Sequence, residues 1–246
     1  MLSQDPTVEL IVLSHPHKDH VSALDWLAGS AIPIERVWWT DETFSQPDYN
    51  RFRQRIQARG IPAEKPAEAL HSFPGFTNFR LRVFNNGQEF PGTDGDDINN
   101  DSLVFQLVYE PSPAVGVTVL FTGDIEREQG QRLVTQFGQQ LKSDIVKVPH
   151  HGSDALFPQF PSEVAARFAF VSSTGTHGTF KHPRKEALDL YGATAKVFCT
   201  CDAARKKVSF TVVLNQQGGI SVSPTQPPYF VWERQSNGTL KRVTVQ

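Results

Sequence analysis

The segment at positions 14–20, SHPHKDH, crowds three of the chain's eight histidines and an aspartate into seven residues. It follows the apolar run VELIVL at positions 8–13. A short β-branched run of this kind reads as a buried strand ending at Ser14. Imidazoles and a carboxylate delivered together from a strand end form a ligand set for zinc-like metals, which bind them at about 2.0–2.2 Å. The fold is therefore expected to bring further polar groups to the same strand end.

Three later runs are placed to do so. VTVLFTGD ends at Asp124, DIVKVP leads into His150 and His151, and FAFVSS precedes His182 by one loop. Loops at one end of a rigid scaffold are the ordinary seat of catalytic residues. Six of the eight histidines lie in these strand-end segments. A His-x-His pair, His15 and His17, can aim two imidazoles at one metal. Asp19 and His20, at the mouth of the following helix, can serve a second, with Asp124 as a bridge. Two divalent ions about 3.5–4 Å apart polarise a substrate oxygen and generate hydroxide at neutral pH. One ion needs three or four ligands and two need about seven, which accounts for the crowding.

The rest of the chain alternates short apolar runs with helical stretches. KDHVSALDWLAGS reads as a helix closed by Gly29, and IERVWWT (34–40) as the next strand. PDYNRFRQRIQARG (47–60) reads as a helix with Pro47 at its start. NFRLRVFN (78–85) alternates like a half-exposed strand. DSLVFQLVYE (101–110) and GVTVLFTGD (116–124) read as a hairpin. Helix and strand then alternate to about residue 215, followed by GGISVSP. The part from residue 224 is expected to be a strand-poor tail or an edge addition, giving a main domain over 1–223 and an extension over 224–246. Hairpins early and helix–strand alternation later predict mixed sheets covered by helices.

Composition sets the outer limits. The net charge of -2 argues against a strong global field for nucleic acid. No apolar run approaches the roughly 18 residues of a membrane span, and no signal peptide is evident. A cytoplasmic location without membrane partners is the expectation. Cys199 and Cys201 are expected as two buried strand-end thiols rather than a metal site. His71 reads as a surface residue, and a Gly-x-Ser-x-Gly nucleophile turn is absent.

The order H-x-H-x-D-H (His15, His17, Asp19, His20) followed by TGD (Asp124) resembles the metallo-β-lactamase superfamily. NNDSLVF (99–105), VKVPHHGS (146–153) and KHP (181–183) make the chain most similar to the ComEC/Rec2-type hydrolase domain, over about residues 8–215. The resemblance implies an αββα sandwich, an α/β (α+β) architecture, and two divalent ions, zinc or manganese. It also implies a hydrolase that often acts on phosphodiesters, with nucleases among the competence proteins. Its departures are specific. Asn99 or Asn100 stands where many members carry a further metal-binding histidine, and His177 lies near the place of an asparagine. The strands that normally precede the first motif are missing; a truncated gene model, a piece supplied by a partner chain or a rebuilt sheet edge could each account for this, and an edge strand left unpaired would invite a partner chain or second copy.

The expected ligands are His15, His17, Asp19, His20, Asp124, one or both of His150 and His151, and His182. His150 is favoured over His151. Asp19 and Asp124 are expected to hold the attacking hydroxide. His182 or His177 would position the substrate or protonate the leaving group. Gly152 and Ser153 are expected to donate to a bound oxyanion, and Asn100 to contact substrate. Phosphodiester or nucleic acid is the first expected substrate. A lactone, thioester or β-lactam on the same scaffold is the alternative, and a non-catalytic metal-binding module the rival from another class.

Overall fold

The apolar run before the histidines does form a strand, although only its centre is regular. In the computed structural model, described over residues 7–40, 44–87, 98–173, 181–201, 209–224, 229–237 and 239–245, β1 is Ile11–Val12. Val8 adds a lone parallel bridge to Ile34. Then follow α1 (Lys18–Ala28), β2 (Val37–Trp38), α2 (Pro47–Ala58) and β3 (Ala63–Glu64). The three strands pair in parallel in the order β1–β2–β3. Parallel neighbours need a crossover of a dozen or more residues, which α1 and α2 supply. α1 stops at Gly29, as its sequence predicts. α2 opens with Pro47, and the Gln46 side chain accepts the Tyr49 N–H at 2.7 Å.

The second part begins as a meander: β4 (Leu70–Ser72), β5 (Phe79–Asn85), β6 (Val104–Ser112) and β7 (Val115–Phe121). It continues through α3 (Arg127–Phe137), β8 (Ile145–Lys147), α4 (Phe160–Val164), β9 (Phe168–Val171), α5 (Lys185–Tyr191) and β10 (Lys196–Cys199). β7 to β10 are parallel neighbours joined through those helices. A separate hairpin, β11 (Phe210–Leu214) and β12 (Ile220–Pro224), comes next. β13 (Tyr229–Arg234) and β14 (Leu240–Val245) complete a nine-stranded sheet of order β14–β13–β10–β9–β8–β7–β6–β5–β4. Of the two expectations for the last segment, the edge addition is what forms. Val197 pairs with Trp232, and Val231 is buried.

Three apolar clusters define the layers. Ile11, Leu13 and Val37 pack under Val21 of α1 and Phe52 and Ile56 of α2. Trp38, Leu81, Val83 and Leu103, with Val12, Phe105 and Leu107, fill the space between the sheets. Leu120, Val146, Ala169 and Val197 meet Leu133 of α3, Val164 of α4 and Tyr191 of α5. The order is helix, sheet, sheet, helix, which is the expected αββα sandwich. Each buried valine, leucine, isoleucine or phenylalanine among them contributes about 1.5–3 kcal/mol. Truncating Phe52, which is fully buried, to alanine costs about 3–5 kcal/mol.

The first sheet is narrow. Among the described residues β1 has a strand neighbour only on its β2 side. Phe105 stacks on Phe121 at 4.8 Å, yet Phe121 is 37% exposed. Among the described residues no helix is long and apolar enough to cross a membrane.

One expectation is corrected. Cys199 and Cys201 are buried but bonded to each other rather than free. Fully extended strand would separate such Cα atoms by roughly 6.6 Å. The chain turns at Thr200 as β10 ends, bringing them to 5.0 Å, inside the range a disulfide spans.

Candidate metal centre

The carboxyl ends of β1, β7 and β8 all open on one edge of the sandwich, the usual place for ligands in α/β sheets. β1 runs out through Leu13, whose N–H bonds Trp38 O at 2.9 Å. Leu103 N–H then bonds Ser14 O at 2.8 Å, pinning the loop that carries the histidines. His15 is fully buried. Its Nδ1 lies 3.2 Å from both Ser14 Oγ and Ser102 Oγ, leaving Nε2 to face Asp124 Oδ2 at 3.9 Å. Burial, with help from the His20 charge, holds its pKa well below the ordinary value. The ring is therefore neutral, as a metal ligand must be. His17 Nδ1 stands 3.1 Å from His15 Nε2, its pKa is also lowered by burial, and its ring meets Phe44 edge-on.

α1 begins immediately after His17, so its first turn presents Asp19 and His20 to the same place. Ser14 Oγ is 3.1 Å from His20 Nδ1, which orients Nε2 inward. The contact with His151 holds Asp19 well below the usual carboxylate range, against the opposing pull of burial.

Asp124 follows β7 through a glycine that cannot be replaced freely. Gly123 has φ 55°, and a Cβ there would sit 2.5 Å from Ser102 Cβ. The Asp124 N–H donates to Ser102 Oγ at 2.9 Å, so one serine hydroxyl touches both Asp124 and His15. The carboxylate is buried. Burial pushes its pKa up, but Lys147, His151 and His20 together outweigh it and keep the group ionised.

β8 delivers the last member of the cluster through a tight turn. His150 and His151 both have positive φ, 43° and 54°, and Gly152 follows at 82°. Non-glycine residues held there cost of order 1–3 kcal/mol each and concentrate at functional sites. The His151 Nδ1–H donates to Ser172 O at 2.7 Å, which leaves Nε2 facing inward. Burial lowers the His151 pKa, but bonds to Asp124 and Asp19 reverse this and raise it to about 10.

Asp19, His20, Asp124 and His151 thus form a group whose ligand atoms all lie within 4.8 Å of one another. His151 Nε2 is 2.9 Å from Asp19 Oδ2, 3.1 Å from Asp124 Oδ2 and 3.4 Å from His20 Nε2. His20 Nε2 is 3.1 Å from Asp124 Oδ2 and 3.7 Å from Asp19 Oδ2. A tetrahedron with bonds of about 2.1 Å has edges of about 3.4 Å. These five separations bracket that value, so the donor set fits a divalent ion. His15 Nε2 and His17 Nδ1 form a second pair, 3.1 Å apart, with His15 Nε2 3.9 Å from Asp124 Oδ2.

The favoured histidine changes. His151, not His150, enters the four-residue group, because the turn throws the two rings apart. His150 Nδ1 lies 3.0 Å from Glu126 Oε1, and Glu126 also accepts from Asn99 Nδ2 at 3.0 Å. The His182 ring is 5.6 Å from that of His150 and outside the group, its pKa lowered by burial. Asn100 Oδ1 accepts the Glu126 N–H at 2.8 Å, at the start of α3. Ser153 Oγ accepts the Ala155 N–H, and Gly152 O the Arg184 N–H. His177 lies outside the described residues.

Four contributors were not singled out from sequence: Ser14, Ser102, Glu126 and Lys147. Lys147 had a readable signal, a lone charge inside the apolar run IVKV.

No family model matches the chain. It is 24% identical over 186 residues to ComE operon protein 3 of Bacillus subtilis (strain 168), covering 74% of this chain and 22% of that protein. It is 26% identical over 179 residues to competence protein ComA of Neisseria gonorrhoeae, covering 72% and 21%. The chain thus spans about a fifth of the length of these relatives. The solved structure of unliganded yeast PDE1 aligns with TM-score 0.36 at 13% identity, covering 78% of this chain and 56% of that one.

Proposed function

We propose that the chain is a metal-dependent hydrolase acting on phosphodiesters, with nucleic acid as the first candidate substrate. The observation that carries this reading is the set of near-tetrahedral separations among Asp19, His20, Asp124 and His151. Its ComEC/Rec2-type resemblance and its two competence-related relatives support the substrate class.

Two divalent ions, zinc or manganese, would supply a polarised substrate oxygen and a water acidic enough to ionise near neutral pH. Asp19, His20, Asp124 and His151 would hold one ion, and His15 and His17, with Asp124, would hold the other. Asp19 reaches furthest into solvent of the four, with 61% of its side chain exposed, and with Asp124 would hold the attacking hydroxide. His182, beside His150, and His177 bind the substrate phosphate or protonate the leaving oxygen. Gly152 and Ser153 contribute donors to the same phosphate, and Asn100 contacts the substrate.

The test is a parallel assay of protein purified without chelator. Bis-p-nitrophenyl phosphate, single-stranded DNA and an acyl-lactone are offered with added manganese or zinc. Phosphodiester turnover that chelator abolishes supports the reading. Turnover of the lactone alone rejects the substrate class, protein that binds metal without turning over any of the three is the non-catalytic metal-binding module instead, and protein with neither bound metal nor turnover rejects the metal centre.

A further inference from the structure

The strand β8 contains one charged side chain, and its direction is fixed by its neighbours. Val146 and Val148 are buried in the core beneath α3–α5. Alternation along a strand turns Lys147 to the opposite face, towards the space between the sheets. There the ammonium donates to Asp124 Oδ1 at 2.9 Å and to Gly123 O at 2.5 Å. The backbone behind it is pinned as well, since Thr122 Oγ1 donates to Lys147 O at 2.8 Å.

This leaves the two oxygens of Asp124 with different surroundings. Oδ1 is taken by the lysine. Oδ2 is 3.1 Å from His20 Nε2, 3.1 Å from His151 Nε2 and 3.9 Å from His15 Nε2. A carboxylate free to rotate could offer both oxygens to one ion, or one to each of two. Held this way, it offers a single oxygen to both groups of imidazoles.

We infer that Lys147 is a positioning residue of the metal centre, one that turns Asp124 so that Oδ2 alone faces both groups of imidazoles. It acts through Asp124, to which its ammonium donates. The inference rests on the metal-centre reading above, and it assigns the lysine more than the neutralisation of a buried charge. Partners that orient metal ligands typically change affinity 10- to 100-fold when removed.

The experiment uses Co2+ as the probe, with affinity from chelator competition and coordination from the visible absorption spectrum. Lys147→Met is expected to weaken Co2+ binding about 10- to 100-fold. It should also lower the intensity of the visible band, because the freed Oδ1 adds a ligand to a four-coordinate ion. Lys147→Arg, which keeps a cationic donor, is expected to recover most of the affinity and the spectrum. If Lys147→Met does not fold, Lys147→Gln carries the same comparison. Wild-type affinity and spectrum in the neutral variant would overturn the positioning role alone. Failure of the wild-type protein to bind Co2+ at all would overturn this role together with the metal centre it serves.

Discussion

His151 Nε2 stands 2.9 Å from Asp19 Oδ2, and it gets there because its own backbone sits at φ 54°. The turn after β8 directs one of two adjacent imidazoles into the ligand group and the other towards Glu126. Adjacent histidines therefore have separable roles. His151→Ala is expected to lower divalent-metal affinity at least 100-fold. His150→Ala should leave it within a few-fold of wild type. Competition against a chromophoric chelator measures both, and equal losses would contradict the assignment.

Gly123 links the fold to the site. Its φ of 55° and the 2.5 Å approach of a Cβ to Ser102 make Gly123→Ala unfavourable twice over. The strained backbone alone costs of order 1–3 kcal/mol, and displacing Ser102 leaves the buried Asp124 N–H without its acceptor, about 1–3 kcal/mol more. Denaturant unfolding in the presence of chelator reads the sum. A loss below about 1 kcal/mol would mean that the turn relaxes freely.

The metal-free protein should lose stability on mild acidification. The His15 pKa is well below 6.5 in the folded state, chiefly through burial. Above pH 6.5 the ring is neutral in both folded and unfolded chains, so its contribution is fully present. As pH falls from 6.5 towards the folded value, only the unfolded chain takes up the proton, and stability declines by up to about 1.4 kcal/mol per pH unit. His151 runs the other way: its stabilisation is full below pH 6.5 and is lost as pH rises through about 10. Chemical unfolding between pH 5 and 7 with chelator present tests the first slope. His15→Asn should flatten it.

The Cys199–Cys201 bond closes a ring over one intervening residue, so it constrains the unfolded chain little, by roughly 1.5 kcal/mol on the loop-entropy estimate. Alkylation of unfolded, unreduced protein should add no label, and reduction should expose both thiols. Labelling of both thiols before reduction would restore the free-thiol expectation.

Much of this architecture can be read from residue pattern, and the exceptions share a cause. α1 and α2 begin and end near their punctuating residues, Gly29 and Pro47, because local chemistry decides helix ends. The strand-end placement of His15, Asp124 and His151 follows from short apolar runs that must each emerge at a loop. What pattern does not carry is dihedral and side-chain geometry. The choice between His150 and His151 depends on two consecutive positive φ angles. The bond between Cys199 and Cys201 depends on a turn at Thr200. Ser14, Ser102 and Lys147 act through contacts with partners distant in sequence or through ring orientation, and a serine or lysine in a strand-end segment is ordinary by itself. The edge hairpin β13–β14 depends on pairing with β10, a long-range choice that its own residues leave open.

The most direct test of the metal centre is a crystal structure of protein soaked in Mn2+ or Zn2+, with anomalous scattering recorded at the metal edge. The account predicts a peak bonded by Asp19, His20, Asp124 and His151 at about 2.0–2.2 Å, with a second beside His15 and His17 that shares Asp124 Oδ2. Saturating metal with no peak among those four side chains would contradict it.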